Sequence, residues 1–521
     1  MFTFRKTEEI TKGRVLKFHK DTDIIYLLLD SRKIISPVNS LFFAIKGKHH
    51  DGHQFIQELY KKGVRSFVVE DNTFLKTSEF PEANIIQVDN AVAALQKLAA
   101  FHRSEFNYPV IGITGSNGKT IIKEWLSQLL SKDFNIVRSP KSYNSQTGVP
   151  LSVWEMNQQH TLGIFEAGIS LPHEMKNLQK VINPTIGIFS NIGTAHDEGF
   201  QNRKEKIADK LKLFKDVNIL VYCKDHEEID KEVKAHYAAL KTFSWSRYHA
   251  ADIVIRELIR EGDKSRINFS MQGHAYSFAI PFADDASVEN LMHCIAILFY
   301  FKVDPEEIQS RIYNLHSVAM RLELKEGINS CYLIDDSYNN DLAGLNIALN
   351  FLDQQKHKER KTVILSDVLE SGMPEKELYK KIGTLLKEKE INRLIGIGSV
   401  ISRNKEFFDV ENFFYNSTED FLSKMDPQDF SEEIILVKGA RIFEFEKIIQ
   451  RLQQKVHGTI LEVNLDALSN NLNFYRSFLK PQTKIMVMVK AFAYGSGSFE
   501  VANLLQFHRV DYLAVAYADE G

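Results

Sequence analysis

The stretch from residue 110 to residue 130 restricts the fold more than any other part of the chain. An apolar run, Val110-Ile111-Gly112-Ile113-Thr114, reads as a buried strand. The turn Gly115-Ser116-Asn117-Gly118-Lys119-Thr120 follows, and then Ile121, Ile122, Trp125, Leu126, Leu129 and Leu130 recur at helical spacing. Strand, glycine turn and helix in that order form a phosphate loop. Gly115 and Gly118 let the backbone N–H groups around Ser116 and Asn117 approach phosphate oxygens with no Cβ in the way. The start of the helix adds partial positive charge. Lys119 neutralises phosphate charge, and the Thr120 hydroxyl suits Mg2+. A bare glycine turn capping a helix is the plainer reading; the strand before and the amphipathic helix after favour ATP. In the general form Gly-x4-Gly-Lys-[Ser/Thr] the first glycine position is Ile113 here, which argues against an ordinary kinase or GTPase loop.

Around this loop, short apolar runs alternate with helical segments, the pattern of a parallel α/β sheet. Strands are expected at 24–29, 41–45, 66–69, 110–114, 162–165, 186–190 and 219–222, with a helix over 91–101. A second α/β pattern follows residue 321, with strands at 331–334, 362–365, 394–397 and 434–437 and a helix over 443–452. A fresh strand is expected at 459–463.

At 521 residues the chain has room for three or four domains of roughly 100–200 residues each. A formal net charge of −3 supplies no global field for nucleic acid or an anionic membrane. Cys223, Cys294 and Cys331 are far apart and in no metal-type spacing, which fits a reducing cytoplasm. The first residues show no signal peptide, and the longest mainly apolar run, 292–301, is about half a membrane span, so no membrane insertion is expected.

Thr114-Gly115-Ser116-Asn117-Gly118-Lys119-Thr120 resembles the loop of Mur ligases and folylpolyglutamate synthetases, and other segments follow in the family's order. Asp30-Ser31-Arg32, Leu41-Phe42-Phe43-Ala44 and Asp51-Gly52-His53 resemble the domain that holds the UDP-sugar. Asn144-Ser145-Gln146-Thr147-Gly148-Val149-Pro150 is similar to the asparagine-rich turn. Phe165-Glu166-Ala167-Gly168 and Asn191-Ile192-Gly193-Thr194-Ala195-His196 resemble metal-binding segments. Asp335-Asp336-Ser337-Tyr338-Asn339 and Val437-Lys438-Gly439 resemble the branch that adds D-alanyl-D-alanine. The resemblance spans about residues 20–455. Ser145 departs from a second asparagine common in the turn, and Lys212 from a frequent glutamate.

The resemblance implies three ligase domains, all α/β: a UDP-binding domain (1–107), a central P-loop ATPase with a parallel sheet (108–319) and a C-terminal Rossmann-like domain (320–455). It implies ligation of D-alanyl-D-alanine to UDP-N-acetylmuramoyl-tripeptide through an acyl phosphate, with ATP and Mg2+. Lys119, His196 and Lys210 are the expected catalytic residues, with Lys210 carbamylated. Thr120, Glu166, His196 and Lys210 would hold metal. Gly115, Ser116, Asn117, Gly118, Lys119, Thr120, Asn290, Arg321 and Asp336 would bind ATP. Ser31, Arg32, Asp51, His53, Asn144, Tyr338 and Asn339 would bind substrate. His49, His50 and His53 could suggest a metal cluster, but no cysteine or carboxylate completes a usual set. The other readings are a folylpolyglutamate-type ligase, which Asp30-Ser31-Arg32 opposes, and an inactive precursor-binding scaffold, which the intact Lys119, Glu166, His196 and Lys210 oppose.

The last residues, 456–521, carry a different resemblance. Met488-Val489-Lys490-Ala491-Phe492-Ala493-Tyr494-Gly495 is similar to the pyridoxal-phosphate lysine segment of alanine racemases, and Glu462-Val463-Asn464-Leu465-Asp466 to that family's opening strand and helix. This implies the start of a β/α barrel in which Lys490 would form the Schiff base and Tyr494 would reach the cofactor phosphate. Phe492 and Ser496 replace the usual Asn and His. A barrel needs roughly 200 or more residues to close, so pyridoxal phosphate is expected only in a complete racemase domain.

Overall fold

The computed structural model describes residues 2–520 apart from 33, 48–50, 71–75, 141, 194–198, 263, 316–321, 338, 339, 356, 357, 370–372, 455–462 and 481. The residues group into two units. One comprises Met1–Glu105, Val153–Glu155 and His457–Gly521; the other comprises Phe106–Ser152 and Met156–Val456.

The first unit opens on a sheet of β1 (Arg14–Lys17), β2 (Tyr26–Leu28), β3 (Ser40–Ala44), β4 (Ser66–Val69) and β5 (Asn84–Gln87), ordered β1-β5-β4-β3-β2. All pairs are parallel except β1 with β5. The two central strands β3 and β4 are buried along their whole length, as the uninterrupted apolar runs require when both faces are covered. Helix Ala91–Ser104 covers one face. Asn90 caps it by accepting the Ala93 N–H at 2.7 Å, and Ala91, Ala94, Leu95, Leu98 and Ala99 form its buried stripe.

The second unit contains two sheets. Its first is built from β6 (Val110–Thr114), β7 (Ile136–Arg138), β8 (Leu162–Glu166), β9 (Ile186–Phe189), β10 (Ile219–Cys223), β11 (Thr242–Ser246), β12 (Ile253–Glu261), β13 (Lys264–Met271) and β14 (His274–Ile280). The order is β14-β13-β12-β11-β10-β9-β6-β8-β7. The strands from β7 to β12 in this order run parallel, as expected, and place the end of β6 between β8 and β9. The antiparallel extension β12–β14 was not among the expected strands. Its physical signature is alternation: along β13 every second residue is buried, since only one face meets the core. Helix Lys119–Leu130 buries Ile122, Trp125, Leu126, Leu129 and Leu130 against helix Asp285–Tyr300 and the sheet. Trimming one such leucine to alanine typically costs about 2–5 kcal/mol.

The second sheet holds β15 (Glu323–Glu326), β16 (Tyr332–Asp336), β17 (Arg360–Ser366), β18 (Arg393–Ile397), β19 (Glu411–Tyr415) and β20 (Glu433–Lys438), ordered β15-β16-β20-β17-β18-β19. It is parallel except at β15. Apolar cores lie on both of its faces.

The C-terminal part of the first unit has helices Leu465–Ser477 and Ser498–Phe507 and a parallel pair, β21 (Met486–Met488) with β22 (Tyr512–Ala514). Its small core is Leu472, Val489, Ala493, Val501 and Leu505. Arg509 ties it to the rest of the unit, pairing with Glu155 at 3.2 Å and donating to the Trp154 carbonyl at 2.9 Å. Of the strand expected at 459–463, residues 459–462 lie outside the described residues. No helix of the described residues is long and apolar enough to cross a membrane.

Candidate active site

The phosphate loop leaves β6 and enters its helix through Gly115 at φ 145° and Gly118 at φ 81°, where side chains are strained. Space demands glycine as well: a Cβ on Gly115 would lie 2.0 Å from Ser190 Oγ, and one on Gly118 would lie 2.1 Å from Asn290 Oδ1. Asn290, on helix Asp285–Tyr300, is therefore packed directly on the loop.

The loop is braced from the end of β9. The Asn191 carbonyl accepts the Ser116 N–H at 3.0 Å, and Asn191 Oδ1 accepts the Asn117 N–H at 2.9 Å. Ser190 Oγ donates to the Asn117 carbonyl at 2.6 Å. Behind it, the wholly buried His293 donates from Nε2 to the Ser190 carbonyl at 3.1 Å and accepts Trp245 Nε1–H on Nδ1 at 3.3 Å. Burial pushes this imidazole down to about 4. Asn191 belongs to a segment read from sequence as metal-binding; its side chain here holds the loop. His196, from the same segment, lies outside the described residues.

Lys119 Nζ donates to the carbonyls of Gly115 at 2.8 Å and Ser116 at 2.9 Å, across the cradle that a phosphate would fill. Thr120 Oγ1 donates to Glu166 Oε2 at 3.0 Å, so the loop threonine meets the carboxylate at the end of β8. Lys210, 3% exposed on helix Arg203–Leu211, donates to the Gly115 carbonyl at 3.2 Å. One turn earlier, the equally buried Lys206 donates to the Gly193 carbonyl at 2.8 Å. Lys212, the departure noted above, pairs with the buried Asp209. Gly115, Ser116, Lys119, Asn144, Glu174 and Lys210 share the walls of one cleft of about 310 Å³.

Two buried lysines, Lys206 and Lys123, were not singled out from sequence. Lys123 had a readable signal, since its spacing from Leu126 and Leu130 puts it on the apolar face of the helix. Among the described residues no group of three or more His, Cys, Asp or Glu side chains is placed to hold a metal ion. The Thr120–Glu166 pair is of a different type: one carboxylate and one hydroxyl, the sparse oxygen set that Mg2+ uses when phosphates and water complete its shell. Two cis oxygens of an octahedron with Mg–O bonds near 2.1 Å are about 3 Å apart, which the pair matches.

Elsewhere the expected residues occupy defined places. In the first unit Arg32 forms a bidentate pair with Asp30, both bonds 2.8 Å, in the turn that also holds Ser31. His53 Nε2 accepts the Glu70 N–H at 3.1 Å, which leaves Nδ1–H to donate to Asp51 Oδ1 at 2.6 Å. The His53 backbone N–H and ring together hold the Asp51 carboxyl below its ordinary range. In the second unit Asp336 Oδ2 meets Lys438 Nζ at 2.5 Å, where β16 and β20 end side by side. Arg321, Tyr338 and Asn339 lie outside the described residues, as do His49 and His50. At the racemase-like segment, Lys490 opens a turn in which Ala491, Phe492, Ala493 and Tyr494 are all left-handed, with φ of 51–56°. Such a run is strained for residues with a Cβ, by roughly 1–2 kcal/mol each.

Family models match three stretches. The Mur ligase middle domain matches residues 113–298, the catalytic domain of the Mur ligase family matches residues 26–103, and the N-terminal domain of alanine racemase matches residues 463–521. The chain is 27% identical over 459 residues to the UDP-N-acetylmuramoyl-tripeptide–D-alanyl-D-alanine ligase of Bacillus subtilis (strain 168), covering 86% of this chain and 98% of that one. It is 26% identical to the protein of that name from Buchnera aphidicola subsp. Acyrthosiphon pisum, covering 86% and 97%. Among solved structures, MurF from Acinetobacter baumannii is similar with a TM-score of 0.74 at 22% identity, over 87% of this chain and 99% of that one. MurF ligase from Thermotoga maritima in complex with ADP is similar with a TM-score of 0.67 at 21% identity, over 82% and 96%. The two Mur ligase models cover the N-terminal sheet and the phosphate-loop sheet in the order in which they lie here: the chain belongs to the Mur ligase family.

Proposed function

We propose that this chain uses ATP to join D-alanyl-D-alanine to UDP-N-acetylmuramoyl-tripeptide, in the cytoplasm, as a step of peptidoglycan synthesis. The observation that carries the reading is the cleft that gathers Lys119, Asn144 and Lys210 beside the Thr120–Glu166 pair. It lies in a chain whose relatives carry that ligase name over 86% of its length.

A carboxylate resists an amine because its oxygen leaves poorly. Transfer of the ATP γ-phosphoryl group to the tripeptide carboxylate gives an acyl phosphate, the dipeptide amine attacks its carbonyl carbon, and phosphate leaves. Both stages concentrate negative charge, so the site must present fixed donors and cations. The loop N–H groups from Gly118 to Thr120, at the start of the helix, face the phosphates, while those of Ser116 and Asn117 are held by Asn191, and Lys119 moves from its loop carbonyls onto the transferred group. Thr120 and Glu166 hold Mg2+, which supplies Lewis-acid charge when bound. Lys210, once carbamylated, and His196 would hold a second cation, the carbamate supplying an anionic oxygen. Asn290, Arg321 and Asp336 contact the remainder of ATP. Asn144, Tyr338 and Asn339 contact the peptide, and Ser31, Arg32, Asp51 and His53 hold the UDP end.

On this reading residues 1–107 bind the UDP precursor, 108–319 bind ATP and 320–455 complete the ligase. Residues 456–521 begin a racemase barrel in which Lys490 and Tyr494 would hold pyridoxal phosphate once the barrel is complete. The test is ADP release from ATP and UDP-linked tripeptide, with and without D-alanyl-D-alanine. Release should require both substrates; equal release without the dipeptide would overturn the proposal.

A further inference from the structure

We propose that Lys123 is a positioning residue that makes Glu166 a one-oxygen ligand and thereby selects Mg2+ over Ca2+. The inference rests on the ligase reading, in which Thr120 and Glu166 hold the cation.

Lys123 lies on the phosphate-loop helix, one turn after Lys119, and is wholly buried. A lysine removed from water in this way needs several partners. Its Nζ donates to the Ser139 carbonyl at 2.8 Å and lies 3.0 Å from Glu124 Oε1. Glu124 in turn pairs with Arg138 on β7. Glu166 Oε1 also lies 3.0 Å from this Nζ, an ion-pair contact without hydrogen-bond geometry, and is sealed from solvent.

The two oxygens of Glu166 thus have separate duties. Oε1 belongs to the ammonium of Lys123, and Oε2 faces Thr120 Oγ1 at 3.0 Å. A cation seated between Thr120 and Glu166 meets only Oε2. That arrangement suits Mg2+, which demands a near-ideal octahedron with bonds of about 2.0–2.1 Å. It does not suit Ca2+, which prefers about 6–8 oxygens at roughly 2.3–2.6 Å and often takes both oxygens of a carboxylate. An apolar side chain could fill the space of Lys123, but it would leave Oε1 unpaired and free to turn toward the cation.

The experiment is calorimetric titration of ADP into the full chain at graded Mg2+ or Ca2+, with no turnover required. Wild type should bind ADP more tightly as Mg2+ rises and respond much less to Ca2+. Lys123→Gln keeps a donor for Ser139 and removes the charge. It should raise the Mg2+ concentration for half-effect by about 10–100-fold, the usual cost of losing a partner that orients a metal ligand, and narrow the Mg2+/Ca2+ gap. Lys123→Arg should stay within about threefold of wild type. An unchanged Mg2+ response in folded Lys123→Gln would overturn the proposal, as would equal loss of ADP affinity with and without cation. Should Lys123→Gln fail to fold, the wild-type response decides, since equal effects of Mg2+ and Ca2+ contradict the selection. Wild-type ADP binding indifferent to both cations would instead overturn the metal site of the ligase reading itself.

Discussion

Lys210 Nζ donates to the Gly115 carbonyl at 3.2 Å, joining residues 95 apart in sequence at the mouth of the phosphate loop. On the proposed reading this buried amine is carbamylated, and the carbamate would hold a cation beside the phosphate loop. Lys210→Ala should lower ligation by about 100-fold or more, since a charged group used in the transition state is lost. A short added carboxylate should restore part of the rate. Labelled bicarbonate followed by carbon NMR should show a carbamate resonance in wild type that is absent from the variant. Full activity in a folded Lys210→Ala protein would remove the residue from the mechanism.

Lys119 now spans two carbonyls of its own loop. Lys119→Ala should leave the thermal midpoint near that of wild type while ligation falls by about 100-fold or more. The check is turnover and melting measured on one preparation; loss of both together would mean a structural role.

The phosphate loop also has a pH-sensitive support. His293, buried between Trp245 and the Ser190 carbonyl, is held neutral with its ionisation lowered to about 4. Unfolded, a histidine titrates near 6.5. Between about pH 6.5 and about pH 4 the unfolded chain therefore binds a proton that the folded chain does not. This contribution is complete above about pH 6.5 and is lost as pH falls, by up to about 1.4 kcal/mol per unit. The stability gap between wild type and His293→Gln should narrow on going from about pH 7.5 to about pH 4.5. A gap that widens on acidification would contradict the assignment of a neutral imidazole.

The phosphate loop was legible in the sequence because three independent cues coincide there: the apolar strand, the glycines and the helical stripe after Lys119. The strands beside it were legible for a related reason, since β6, β8 and β9 are buried on both faces and leave uninterrupted apolar runs. The meander β12–β14 was missed because one covered face leaves only alternation among many charges. The bracing of the loop by Asn191 and Ser190 was not legible, because their partners, Ser116 and Asn117, lie more than seventy residues away. Asp336 and Lys438 were both noted, but that they form an ion pair follows from the β16–β20 register, which no local pattern encodes.

Alanine racemisation by this 521-residue chain is not expected, although Lys490 is present. Beside it Phe492 is 76% and Tyr494 62% exposed, so the turn faces solvent. Racemisation also needs two bases, one on each face of the substrate carbon, and Lys490 can be one of them. Incubation with L-alanine and pyridoxal phosphate, followed by chiral chromatography, should show no D-alanine above a Lys490→Ala control. Production above that control would show that the segment binds cofactor productively.

The most direct measurement is mass analysis of the products formed from ATP, UDP-N-acetylmuramoyl-tripeptide and D-alanyl-D-alanine, with a folate monoglutamate and glutamate supplied in a parallel reaction. The account predicts a UDP-linked pentapeptide, formed in equal amount with ADP and phosphate, and no extended folate. ADP release with no new amide on the tripeptide, or glutamate added to the folate, would contradict it.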